Sequence, residues 1–395
     1  MHEFKYIIGL AMLFLACKPN TSKGEEHLAV TNTISIDSLL QSRYEKLLTY
    51  KVDSLSFPRS LDITTEKIKK VTSSDWTSGF FAGNLWQLYK LTGKEAYKNK
   101  AIAWTAYSKR EKDNADSHDV GFKVFCSVGM GLEITGDPQY EQIIVKAAKT
   151  LSSRFNAKVG SIRSWDFNKE LWEYPVIIDN MMNLELLFEA AKITKDSSYY
   201  KIAVQHANTT LKNHFRPDQS TYHVVVYDTL TGLAKAKVTH QGFNDQSSWA
   251  RGQAWAIYGF TMAYRYTKDE AYLQQARATL KFYLEHENLP DDGIPYWDFN
   301  DPEIPKAATD VSAGAIVASA CYELYQYTQD SICITYADKV LNALQSIHYL
   351  LPSDVEAPFI LAHSTGNWPK NSEVDAPIVY GDYYFLEALL RKRNL

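Results

Sequence analysis

Along most of this chain apolar residues recur with the spacing of a helix face, and short polar clusters interrupt them. The pattern predicts about twelve helices, near 36–50, 77–91, 94–110, 120–135, 138–154, 180–194, 197–213, 247–266, 269–286, 310–328, 331–346 and 377–392. Five of the interruptions share a phrase: "YKLTGKEAYKNKA", "LEITGDPQYEQII", "AKITKDSSYYKIA", "YRYTKDEAYLQQA" and "YQYTQDSICITYA". Aligned on Thr92, Thr135, Thr194, Thr267 and Thr328, the fifth residue on is Tyr97, Tyr140, Tyr199, Tyr272 or Cys333. Such a cluster ends one helix and starts the next, so each phrase predicts a tight helix–turn–helix. The repeats are spaced unevenly, by roughly 40 to 75 residues, which puts the insertions at the other ends of the helices. Six hairpins in one chain of this length predict an all-α fold closed into an (α/α)6 barrel. The tight turns then share one rim, and function belongs among the insertions on the other. Residues 221–240, "TYHVVVYDTLTGLAKAKVTH", alternate instead with period two and predict a small β-hairpin insertion over the site.

Composition changes this picture little. The chain has 395 residues with 45% hydrophobic content, enough for a sizeable core, and a formal net charge of -4 with no basic run of a nucleic-acid footprint. An aromatic content of 13% suits sugar stacking as well as packing. The N-terminus matters more. Lys5 precedes an apolar run from Tyr6 to Ala16, too short to span a bilayer but suited to a signal segment. "LFLAC" resembles a lipobox with Cys17 as the lipidated residue, although Phe14 fits it imperfectly and simple secretion is the alternative. The expected organisation is a signal peptide at 1–16, a polar tether at 17–33 and a single catalytic domain at 34–395. That predicts an exported bacterial protein, periplasmic or on the cell surface, touching membrane only through its anchor and monomeric or weakly self-associating. Cys126, Cys321 and Cys333 lack the spacing of a disulfide framework or a zinc site.

The candidate chemistry lies in the insertions. Asp179 sits in "VIIDNMMNLELLFEA", where its neighbours desolvate a carboxylate and favour its protonated form. On its own it reads first as a helix cap and then as a proton donor, and the two roles are compatible. Asp119, in "HDVGF", is a second carboxylate at a helix start. Two such groups in one pocket would hold one protonated and leave the other ionised. His118 beside it is either a substrate donor or structural. In "SSWARGQAWAIYGF", Arg251 and Trp255 are four apart on one helical face, suited to the carboxylate and ring of an anionic sugar or to a cation–π helix contact. Gly252 and Gly259 in that helix imply close approach of a backbone or a ligand. Thr239, His240 and Gln241 can hold sugar hydroxyls or a water, and Trp76, Trp165 and His223 can complete the wall.

The strings "HDVGF", "IIDNMMNLELL", "THQG", "SWARGQAWAIYGF" and "YGDYYFLEALL" resemble glycoside hydrolase family 88, the unsaturated glucuronyl hydrolases, over roughly residues 70–392. The resemblance implies an (α/α)6 barrel acting on oligosaccharides that end in a 4,5-unsaturated uronic acid, with no metal or organic cofactor. It implies hydration of the C4=C5 double bond, with Asp179 as general acid/base and Asp119 as a second essential carboxylate. It places Thr239, Arg251 and Trp255, together with Trp76, His118, Trp165, His223 and Gln241, at substrate-contacting positions. Lys235 and Lys237, where a more neutral stretch is expected, lean the substrate towards a sulfated glycan such as ulvan or a glycosaminoglycan. The rival expectations are an unsaturated rhamnogalacturonyl hydrolase, an ordinary inverting glycosidase on the same barrel, and a noncatalytic glycan-binding lipoprotein.

Overall fold

The computed structural model describes residues 36–395, so the expected signal segment, the Cys17 lipidation site and the tether lie outside the described residues. The twelve expected helices are all present: α1 (Ile36–Thr49), α2 (Ser78–Thr92), α3 (Glu95–Ser108), α4 (Cys126–Thr135), α5 (Pro138–Ser152), α6 (Leu184–Thr194), α7 (Ser197–Asn213), α8 (Ala250–Thr267), α9 (Glu270–Glu285), α10 (Val311–Thr328), α11 (Ser331–Leu344) and α12 (Val379–Arg393). Burial sorts them into two rings. Every residue of α8 from Ala250 to Ala263 is buried, and so is every residue of α10 from Val311 to Leu324, as an inner helix requires. By contrast α9 buries only the stripe Tyr272, Leu273, Ala276, Thr279, Leu280 and Tyr283. The even-numbered helices form the inner ring, and α12 packs on α2 to close it.

The shared turn phrase has a physical basis. Thr267 donates its hydroxyl to the Ala263 carbonyl (2.8 Å) and accepts the Asp269 N–H (3.1 Å). Lys268 between them is left-handed at φ 58°, and Asp269 caps α9 by accepting the Ala271 N–H. The same two threonine bonds occur at Thr92, Thr135, Thr194 and Thr328. Asp137, Asp196 and Asp330 repeat the cap, whereas Lys94 at that place makes no such bond. This device makes five hairpins, as the five phrases predict. The sixth pair comes from the two ends of the described chain. Arg43 of α1 donates to the carbonyls of Pro352, Val355, Ala357 and Phe359, and Asp382 of α12 accepts the N–H groups of Ile360 and Leu361. Both helices therefore grip one segment.

The opposite rim carries the long connections and three small sheets. β1 (Phe57–Asp62) pairs with β2 (Lys67–Val71), and β3 (Phe155–Asn156) with β4 (Ser161–Ile162). β5 (Pro175–Ile177), β6 (Val224–Tyr227) and β7 (Ala234–Val238) form an antiparallel sheet in that order. The expected hairpin is β6–β7, its turn closed by Gly232 at φ 76°. The pairing of β5 with β6 was not foreseen, and it matters for the site.

Candidate active site

Two irregular turns carry the two carboxylates. Asp119 leads into a π-helical turn, Gly121–Phe125, ahead of α4, and Asp179 lies in a 3-10 turn, Ile178–Asn183, ahead of α6. Regular helices were expected from 120 and 180; the difference reflects a contact between the turns. The Asn183 side chain accepts the Phe122 N–H (3.0 Å), and a Cβ on Gly121 would sit 2.8 Å from the Asn183 Cα. Side chain and backbone of one turn thus occupy the space that a regular helix in the other would need. Neither aspartate caps a helix, which corrects that expectation. The 3-10 turn follows an extended Ile177, and the Asp179 carboxyl lies among His118, Asp119, His223 and Arg251.

Asp119 and Asp179 have opposite electrostatic settings. His118 is buried, and its Nε2–H reaches Asp119 Oδ1 at 3.1 Å. Burial pushes the Asp119 carboxyl up, but His118, Lys123 and the Ser117 hydroxyl outweigh it and hold the group below its ordinary value. For Asp179, burial wins. It carries the carboxyl up to about 6, against the pull of His118 and Arg251 and with a push from Asp119. One carboxylate stays ionised while the other keeps its proton up to about pH 6, the division that acid–base chemistry needs.

His223 is placed by the unforeseen strand pairing. The β5–β6 register continues to an Ile178 N–H donating to the His223 carbonyl (3.0 Å), which sets the imidazole beside Asp179. His223 Nδ1 accepts two N–H groups, from His240 and Gln241, each at 3.1 Å. Its proton therefore sits on Nε2, which lies 3.7 Å from Asp179 Oδ2. Burial holds this imidazole neutral, well below its ordinary pKa.

Arg251 and Trp255 are both buried and packed by protein groups. Trp255 is fully buried among Phe122 and Tyr384. Arg251, 1% exposed, lies under the rings of Trp249 (4.6 Å) and Tyr380 (5.4 Å) and donates to Asp310 and to the carbonyls of Thr365 and Gly366. Its charge still reaches Asp179. The glycine expectation resolves towards protein: a Cβ on Gly259 would meet the Met181 Cβ at 2.5 Å, so α8 lies directly on the 3-10 turn.

The remaining candidates share this end of the barrel. Trp165 stacks on Phe167 (5.1 Å) and faces His240 (5.4 Å), and Lys370 reaches His240 Nε2 at 3.4 Å. Gln241 donates its side-chain amide to the Gly366 carbonyl (3.2 Å), while the Thr239 hydroxyl accepts the Gly242 N–H within a turn. Trp76 lies against Phe122 (5.4 Å) and Tyr380 (4.9 Å). Lys235 is paired with Glu173 (2.7 Å), and Lys237 sits over the Tyr222 ring (5.1 Å). Both lysines thus have protein partners in this structure, Lys235 an exposed one. Asp310, Tyr380 and Trp249 escaped sequence reasoning. Asp310 precedes a helix and is indeed its N-cap, but nothing local reveals a partner 59 positions away. Among the described residues no three His, Cys, Asp or Glu side chains converge as a metal ion would require.

The model of Glycosyl Hydrolase Family 88 matches residues 54–288. An unsaturated glucuronyl hydrolase of Formosa agariphila is 58% identical over 390 residues, 98% of this chain and 97% of its own. An unsaturated chondroitin disaccharide hydrolase of Streptococcus pneumoniae is 33% identical over 81% of this chain and 82% of its own. The crystal structure of an unsaturated glucuronyl hydrolase specific for heparin superposes with a TM-score of 0.86 at 40% identity, covering 91% of this chain and 96% of that one. The chain belongs to glycosyl hydrolase family 88.

Proposed function

We propose that this enzyme removes the terminal 4,5-unsaturated uronic acid from lyase-generated oligosaccharides by hydrating the C4=C5 double bond. The observation that carries the reading is a desolvated Asp179, protonated up to about pH 6, beside a neutral His223 whose Nε2–H faces it. Asp179 donates its proton to C4, and positive charge develops at C5 and the ring oxygen. Water then adds at C5 while Asp179, now a carboxylate, takes the water's proton. The resulting hemiketal opens, the leaving sugar departs with a free hydroxyl, and the uronate ends as a keto acid. The ionised Asp119 stabilises the cationic stage, and His223 Nε2–H orients a substrate or water oxygen.

The relatives' activities, on glucuronyl, chondroitin and heparin fragments, agree with a uronate-specific site and differ in the glycan that carries the uronate. The test is loss of the ultraviolet absorbance of the unsaturated uronate. Wild type and Asp179→Asn are given lyase products of glycosaminoglycans, gellan, xanthan and ulvan. Loss with wild type alone supports the reading, and the best substrate names the glycan. Cleavage of saturated oligosaccharides without any loss of absorbance would sink it.

The apolar run ending at Cys17 further supports an exported, lipid-anchored enzyme. Movement of a Cys17→Ala variant from the membrane to the soluble fraction tests this.

A further inference from the structure

Arg251 is a buried cation within electrostatic reach of the acid that must hold a proton. An opposite charge in a desolvated site favours ionisation, so an uncompensated Arg251 would work against Asp179 as a donor. The structure compensates it. Asp310 faces Arg251 with Oδ2, while its Oδ1 accepts the Ser312 N–H at the start of α10 and the Thr365 N–H. Asp310 is itself fully buried, so water screens this pair very little. The Arg251 guanidinium is held from three directions, by Asp310, by the Thr365 and Gly366 carbonyls, and by the Trp249 and Tyr380 rings.

We propose that Asp310 is a positioning residue for the reaction: it fixes and neutralises the Arg251 guanidinium, and so keeps that cation from drawing Asp179 into its ionised form. The charged and titratable groups facing Asp179 are His118, Asp119, His223 and Arg251, and those facing Arg251 are Asp310, Tyr380 and Asp179 itself. His223 is neutral, which leaves the balance to His118, Asp119 and the Arg251–Asp310 pair.

The proposal rests on the reading of Asp179 as proton donor, and the test separates the two. Asn caps helices as well as Asp does, so Asp310→Asn keeps the α10 cap through its amide oxygen, while Arg251 loses the charge and meets an N–H donor in place of a carboxylate oxygen. In the full-length enzyme, the carboxyl 13C resonance of Asp179, assigned by its loss in Asp179→Asn, reports titration independently of turnover. Asp310→Asn is expected to lower that midpoint by at least about one pH unit, and the alkaline limb of kcat/KM by the same amount. Asp310→Glu should restore both. The double variant Asp310→Asn/Arg251→Gln contains no unpaired buried cation, and its midpoint is expected at or above the wild-type value. An unmoved midpoint in Asp310→Asn, or a lowered one in the double variant, overturns the relay. A midpoint that falls while the alkaline limb stays overturns Asp179 as the donor and leaves the relay standing.

Discussion

His223 Nε2 and Asp179 Oδ2 lie 3.7 Å apart, and neither has a hydrogen-bond partner among the described residues. Two buried polar atoms left unpaired cost free energy that a structural site would avoid. Their spacing lets one substrate or water oxygen bond to both, accepting from Nε2–H and meeting the carboxyl. Asp179→Asn is expected to lower kcat by at least ~10²-fold, the contribution of a positioned acid–base group. His223→Phe keeps the ring volume but loses the donor and should lower kcat by roughly 10²-fold. Steady-state rates on an unsaturated disaccharide measure both, and a His223→Phe enzyme within a few-fold of wild type would refute the donor role.

The pH dependence comes from the same carboxyl. Asp179 is raised to about 6 chiefly by burial, and a general acid works only while protonated. Activity should therefore be present below that value and fall as pH rises through it. A kcat/KM profile that climbs between pH ~6 and ~8 would contradict the sign.

Much of this arrangement was legible in the chain. The helices stood out because inner and outer faces both impose helical spacing, and the turns because the Thr–Asp device is local: hydroxyl, left-handed residue and cap all lie within five positions. Asp179 stood out as a carboxylate in apolar company, Asp119 and His118 as polar groups at a helix start, and His223 as a possible wall residue. The contacts that bind them together did not. The 3-10 and π-helical turns exist because Asn183 meets Gly121 and Phe122, more than sixty positions away. β5 is three residues that lie outside every expected element and become a strand only by pairing with β6. Arg251 looked like a free cation because Asp310, read alone, is only a cap.

Gly121 is the place where the two carboxylate turns touch. An added Cβ would lie 2.6 Å from the Asn183 Oδ1 and 2.8 Å from its Cα, and backbone cannot swing aside as a side-chain tip can. Gly121→Ala should cost about 1–3 kcal/mol of stability through overpacking and also lower kcat by moving Asp119 relative to Asp179. Thermal melting and turnover measured together decide it. A destabilised enzyme with unchanged kcat would show that the turns move as one body.

The far rim supplies a contrast. Asp269 accepts the Ala271 N–H at 3.0 Å on the exposed tight-turn side, away from the catalytic groups. Loss of an N-cap typically costs ~1 kcal/mol. Asp269→Ala should lower the melting temperature slightly and leave kcat and KM unchanged; a change in either kinetic constant would mean that this rim is coupled to the site.

The loop that grips Arg251 is itself clamped by an ion pair. His363 Nδ1 lies 2.6 Å from Asp375 Oδ1, and both residues are left-handed, at φ 61° and 52°. Between them run the Thr365 and Gly366 carbonyls that Arg251 uses. The Asp375 contact raises the His363 imidazole above its ordinary pKa, and the same hydrogen bond holds Asp375 below its own. The histidine's contribution is therefore complete below the ordinary imidazole value of about 6.5 and disappears as pH rises through the raised one. The aspartate's contribution is present above its ordinary value and is lost as pH falls through the lowered one. The pair stabilises most in the mildly acidic window between these limits. Because the side chains are 30% and 55% exposed, screening keeps the effect to no more than about 1 kcal/mol. His363→Gln retains a polar side chain without the charge. The melting-temperature gap between wild type and this variant should be widest in that window and close as pH rises above it. A gap that widens towards alkaline pH would contradict the assigned sign of the clamp.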